Sequence, residues 1–370
     1  MQQVKILLVQ LAANGDCLFV TTIARQIKEV DYPGCHLTWL IGSRCAQVIK
    51  NNPYIDDIIQ IPLNGSGDIQ NQRDKIDEYI ANTGSYHKFN KIFITDYAGL
   101  NQEKWFGTTR SSLFRCYPHR VTIDPQPLIY LTDDEKNNVT EFCKTHTITK
   151  NTFNILFECA PQSGQSLMTF ERAKQLAEQV ADQNKNIKFI LTSDQSFVSA
   201  NPNMIDGSVI SWRENAELAN YCHLLVGCSS GISWLCTSNW TKPIPFIQII
   251  NPYYREGSAS MKIDFKFWGI NGKKLIELNN PTDNIIKECI VAASIDNFES
   301  VREKYDSKRY GGFLNYRFIK EARIPVYEKA WFYFHYFFLG PFFLIIYRAI
   351  KPVWFKPYDW IRKDKYWFEK

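Results

Sequence analysis

Hydrophobic positions along this chain fall into short β-branched runs separated by amphipathic stretches, and the alternation recurs through most of its length. Lys5–Leu11 is an apolar run of strand length. The turn Asn14-Gly15-Asp16 follows, and then apolar residues recur at helical spacing (Leu18, Phe19, Ile23, Ile27). That order predicts strand, tight turn and helix N-terminus, the opening unit of a parallel α/β sheet. His36–Gly42 and Ile55–Pro62 predict the next strands, with a helical segment between them. Asn64–Asp74 is polar and reads as a loop or the frayed start of a helix. Lys91–Gly99 predicts a strand carrying Asp96 near its end, and Arg120–Asp124 a further short one. Strands alternating with helical patterns imply a mostly parallel sheet with helices on both faces.

Residues 144–153 (KTHTITKNTF) are polar and lack periodicity, which places a domain boundary there. The pattern then restarts. Asn154–Ala160 predicts a strand, Pro161–Ser166 a loop, Phe170–Ala181 an amphipathic helix and Ile187–Ser193 the next strand. A helix over Glu214–Cys222, a strand over His223–Gly227 and the turn Cys228–Gly231 follow. Ile232–Ser238 reads as helical, Pro243–Ile250 as a buried strand, and Asn284–Ala293 and Phe298–Tyr305 as closing helices. The predicted organisation is therefore residues 1–150, residues 151–322 and a tail, 323–370.

The tail differs in kind. Trp331–Tyr347 contains no Asp, Glu, Lys or Arg over 17 residues, and Gly340-Pro341 interrupts it. That is short of the ~20 residues a spanning helix needs. Basic and aromatic residues then alternate, and 331–370 holds 17 of the 54 aromatic residues. Such a mixture suits the headgroup region of a bilayer, so an interfacial anchor is the leading expectation. Oligomerisation or domain packing through this apolar surface competes with it, and a true span comes last.

Charge adds to that picture. From Glu328 to Lys370 eight Lys/Arg face four Asp/Glu, so this segment carries +4 of the formal +5. The nearly neutral remainder argues against nucleic acid as a partner. The ten cysteines form no CxxC pair and no metal-ligand spacing, so they read as reduced core thiols, with no metal expected. No basic leader or cleavage motif opens the chain. The resulting expectation is a cytoplasmic protein, peripheral at the inner face of the membrane.

Ligands of parallel sheets sit beyond the carboxyl ends of the strands, where Asn14, Gly15 and Asp16 lie. The competing reading makes Asp16 an N-cap, stabilising the helix by ~1 kcal/mol. The linked motifs resemble family 9 glycosyltransferases, the ADP-heptose:lipopolysaccharide heptosyltransferase group. KILLVQLAANGDCLFVTT is similar to that family's strand, Gly-Asp turn and Thr-bearing helix, and HLTWLIGSRCAQVIKNNPYIDDIIQIP to its second unit. KIFITDYAGL resembles its Asp-ended strand, NILFECAPQSG its nucleotide-facing strand and loop, and ELANYCHLLVGCSSGISWL the turn that holds the donor diphosphate. The similarity spans roughly residues 4–255.

The resemblance implies a GT-B fold, two Rossmann-like domains across a cleft, the first facing the acceptor and the second the donor. It implies an inverting, metal-independent transferase with Asp16 as general base, and no cofactor beyond a nucleotide-diphosphate sugar donor. The acceptor would be a lipid-linked or lipopolysaccharide-type glycan. Ser163, Gly164, Gln165 and Ser166, with Ser229, Ser230 and Gly231, would form two turns about the donor diphosphate; the competing reading is ordinary strand-to-helix connections. Three positions depart from the pattern: Ser229 replaces an Asp, Trp234 a His, and Ser166 stands near a usual Lys. They bear on ADP-heptose as donor more than on the fold. Arg213 or Arg255 would then supply positive charge, unless they are ordinary surface residues. Asp96 would orient the acceptor, or cap its strand, and Gln162, Gln165, Trp234 and Tyr253 are candidates for sugar choice. Alternatives are a GT-B epimerase or polyol-phosphate transferase, and a degenerate, non-catalytic scaffold docked on a membrane.

Overall fold

The structure of the protein, a computed structural model, describes residues 3–63, 69–96, 104, 108–159, 161, 164–251 and 259–307. The expectations for Ser163, Arg255, Gln162, Tyr253 and the tail 331–370 lie outside the described residues. The chain builds two fully parallel sheets. The first contains β1 (Lys5–Val9), β2 (His36–Gly42), β3 (Asp57–Ile61) and β4 (Lys91–Ile94), in the order β3-β2-β1-β4. Its central strand is apolar because both faces are covered: Ile6, Leu7, Leu8 and Val9 are all fully buried.

Helix α1 (Asn14–Gln26) follows β1 and runs into a π-turn at Ile27–Asp31. Helices α2 (Ile69–Asn82), α3 (Ser85–Lys88) and α4 (Thr109–Cys116) complete the first unit. The strand expected over Arg120–Asp124 does not form. The side-chain oxygen of Gln26 accepts from the Thr122 and Ile123 N–H groups at 3.0 and 3.3 Å, doing the work of a neighbouring strand. Helix α5 (Asp133–Thr145) starts at a capping box made by Thr132 and Glu135. It rests on the second half of the molecule, with Asn138 donating to Glu214 at 3.0 Å.

The second sheet contains β5 (Phe153–Glu158), β6 (Ile187–Thr192), β7 (Met204–Asp206), β8 (Leu224–Gly227), β9 (Phe246–Ile250) and β10 (Leu275–Asn279). Their order is β10-β9-β8-β5-β6-β7. Helices α6 (Phe170–Gln183), α7 (Asn215–Leu218), α8 (Gly231–Leu235), α9 (Met261–Trp268), α10 (Asp283–Ser294) and α11 (Phe298–Tyr305) accompany them. The helix expected over Glu214–Cys222 divides into α7 and a 3-10 turn at Ala219–Tyr221, and the one expected over 232–238 shortens to α8. Among the described residues, no helix is long and apolar enough to cross a membrane.

Rings on helices α1, α4, α8 and α9 join the halves. Phe19 of α1 stacks on Phe114 of α4 with ring centroids 4.8 Å apart, and meets the edge of Trp234 of α8 at 5.4 Å. Trp234 is 1% exposed and also packs against Phe265 of α9. Burying side chains of this size contributes ~1.5–3 kcal/mol each, so the junction is part of the core.

Candidate active site at the junction of the two sheets

Asp16 stands in the first turn of α1, whose N-cap is Ala13, so capping does not account for this carboxylate. Its side chain is 20% exposed and faces Arg110 of α4, Nη2 to Oδ1 3.8 Å. Arg110 also lies over the Trp234 ring, its guanidinium carbon 4.9 Å from the centroid. The start of α4 is held from the other half of the molecule. Asp264 of α9 accepts from the Ser111 N–H at 3.2 Å and its hydroxyl at 2.8 Å. Burial pushes the Asp264 carboxyl up to about 6, against the pull of Arg110 and these hydrogen bonds.

The glycines explain how α1 meets α8. A Cβ on Gly15 would stand 3.2 Å from Arg110 Nη2 and 3.4 Å from the Gly231 Cα. One on Gly231 would stand 2.9 Å from Trp212 Nε1. The missing side chain of Gly15 therefore lets the helix carrying Asp16 touch the turn expected to face a donor, and that of Gly231 makes room for Trp212. Asn14 opens α1 half-buried. Asp96 is 4% exposed, two residues past β4. Both Asp16 and Asp96 act on the buried Cys17 thiol, which burial, the Cys45 thiol and these two charges push well up. The two carboxylates thus share the neighbourhood of the first turn of α1.

The 228–233 turn, expected to face a donor, is folded inward. Ser229 has a left-handed φ of 52° and is 1% exposed. Its N–H donates to Gln248 Oε1 at 2.6 Å and its hydroxyl to the Ala259 carbonyl. Glu158, at the end of β5 and 3% exposed, accepts from the Cys228 N–H at 3.1 Å, the Ser233 hydroxyl at 2.5 Å and the Ser230 hydroxyl. In the second loop, Ser166 is also buried and accepts from the Met168 N–H at 3.2 Å. The Gly164 and Gln165 carbonyls accept from Asn251. Of the serines in these two turns that the structure describes, Ser166 and Ser229 are buried and Ser230 is half-buried.

Arg213, expected as a source of charge for substrate, is committed within the fold. Its side chain is 4% exposed and pairs with Glu135 at 2.6 Å. It also donates to the carbonyls of Tyr130 and Gln47 at 2.5 and 2.8 Å. Trp234, a candidate for sugar choice, is a junction core residue. Sequence reasoning missed Arg110, Trp212, Gln248 and Glu158. Only Glu158 left a signal, an acid ending an apolar strand; Arg110 sits in TTRSS, which has no periodicity. Among the described residues, no group of three His, Cys, Asp or Glu side chains is placed to hold a metal ion.

No family model matches the chain, and no curated protein matches it at a significant level. Solved structures do. A family 9 glycosyl transferase from Veillonella parvula superposes with a TM-score of 0.53 at 16% identity, covering 82% of this chain and 99% of its own. The ADP-heptose lipopolysaccharide heptosyltransferase II of E. coli superposes with a TM-score of 0.51 at 12% identity, covering 79% and 99%. Two parallel sheets meeting through α1, α4 and α8 thus form the same two-unit α/β fold as these glycosyltransferases, the fold that the sequence motifs resemble.

Proposed function

We propose that this chain is a glycosyltransferase that moves a sugar from a nucleoside-diphosphate donor to an acceptor hydroxyl, with Asp16 as the general base. The observation that carries the reading is the meeting of Asp16, Arg110 and the Gly231 turn where the two sheets join. In the proposed step Asp16 takes the hydroxyl proton as the acceptor oxygen bonds to the anomeric carbon. The bond from that carbon to the diphosphate breaks, and the diphosphate leaves with the electron pair. Attack opposite the leaving group inverts the centre. Arg110 orients the carboxylate and adds positive charge beside the reacting atoms. Hydrogen-bond donors of the 228–233 turn, rather than a metal, would face the leaving diphosphate.

The fold shared with a heptosyltransferase acting on lipopolysaccharide supports a lipid-linked or lipopolysaccharide-type acceptor. Residues 331–370 would hold the enzyme at the cytoplasmic membrane face, raising its effective concentration at such an acceptor. A second reading, a non-catalytic scaffold, draws on one observation: Glu158 and Gln248 already take hydrogen-bond donors of the turn. Purified full chain is screened against ADP-, GDP-, UDP- and CDP-sugars by thermal shift. Saturation at 100 times the dissociation constant adds ~2.7 kcal/mol and raises the melting temperature visibly. Diphosphate release from the responding donor is then expected to fall ~10²–10⁴-fold in Asp16→Asn. Silence towards all four donors would favour the scaffold.

A further inference from the structure

Glu158 is the feature of this site that the proposed transfer does not use. It ends β5 beneath the 228–233 turn and accepts from the Cys228 N–H and the Ser230 and Ser233 hydroxyls, and the nearby Ile232 and Ser233 N–H groups also favour its charged form. Among the described residues no Lys, Arg or His pairs with this carboxylate. The titratable groups facing it are thiols: Cys159 on its own strand, Cys228 in the turn and Cys236 just past α8. Gln248 reaches in from β9 as an uncharged amide. An anion buried this way depends on hydrogen bonds alone, and those bonds come from the groups that would receive a phosphate oxygen.

We infer that Glu158 is a specificity-determining residue, an internal anion that competes with the donor diphosphate for the hydrogen-bond donors of the 228–233 turn. The inference rests on the reading of that turn as the donor site. Two like charges cannot share one set of donors in a buried setting without one of them giving way. Among the described residues Glu158 has no cation to turn to, so it gives way by taking a proton from solvent. Burial prepares this, because it pushes the carboxyl above its usual range even though the hydrogen bonds pull the other way.

Calorimetric titration of the full chain with ADP, GDP, UDP, CDP and inorganic pyrophosphate at pH 8, where these ligands carry almost their full charge, tests this. Glu158→Gln is expected to bind the preferred diphosphate at least tenfold more tightly than wild type. Wild type itself, titrated in buffers of different ionisation enthalpy, is expected to take up about one proton per diphosphate bound. That second measurement needs no variant and stands if Glu158→Gln fails to fold. Equal affinities for wild type and variant, or binding by wild type with no proton uptake, would overturn the inference and leave the donor site intact. No binding by either protein at any concentration tested would overturn the donor site and this inference together.

Discussion

Arg213→Met separates a structural arginine from a substrate-binding one. The guanidinium makes bonds of 2.6 and 3.2 Å to Glu135, 2.8 Å to the Gln47 carbonyl and 2.5 Å to the Tyr130 carbonyl. It thereby ties the 3-10 turn after β2, the segment before α5 and the loop before α7. Methionine keeps most of the apolar stem and removes the donors. Deleting one partner of a buried pair costs ~3–5 kcal/mol. Glu135 is 15% exposed and retains the Thr132 N–H at 2.7 Å, which puts the expectation at the lower end, about 3 kcal/mol. For a cooperative unit of 150–250 residues, that is a fall in melting temperature of roughly 6–12 °C by calorimetry. Burial pushes the Glu135 carboxyl up, but Arg213 and Thr132 pull it below its ordinary value. The stability it contributes is therefore full above about pH 4.5 and lost as pH falls through the folded pKa, so wild type and variant should converge in acid. A shift below about 2 °C together with loss of transfer would refute the reasoning and return Arg213 to the substrate.

Gly231→Ala should cost ~1–3 kcal/mol in urea unfolding, because its Cβ would press on a ring nitrogen of Trp212. Gly15→Ala should cost less, since the Arg110 fork is the end of a flexible side chain; the reverse order would show that the close approach of the Gly15 and Gly231 backbones, not the Trp212 ring, is the tighter constraint. Burial pushes the Glu277 carboxyl up to about 7, despite the Lys262 N–H and the Ser260 hydroxyl. The folded state then holds a proton that the unfolded state has lost. Stability should fall as pH rises from about 4.5 to 7, and that slope should flatten in Glu277→Gln.

Much of the architecture was written locally. β1, β2, β5, β6, β8 and β9 lie where apolar β-branched runs place them, and α11 has its predicted limits, Phe298–Tyr305. Strands of a parallel sheet are covered on both faces, so they must be near-continuously apolar, and a run of that kind is visible in one dimension. β7, with three residues, and β10, whose LIELN carries the buried Glu277, lacked that signature. The reading of Arg120–Asp124 as a strand failed because a side chain 94 or more residues distant supplies its hydrogen bonds.

The candidate site divides the same way. The helix start after β1 was legible because helix starts depend on neighbouring residues, although Asn14-Gly15-Asp16, expected as the turn before the helix, already forms the first turn of α1. That Asp16 faces Arg110, that Gly15 abuts Gly231, that Arg213 is locked to Glu135 and that Glu158 fills the 228–233 turn all follow from tertiary packing, within each unit or between the two. Sequence by itself determined which segments fold and where a carboxylate meets a helix start. The tertiary structure alone decided which groups meet, because electrostatics and packing depend on distance through space, and these partners lie 70 to 216 residues apart along the chain.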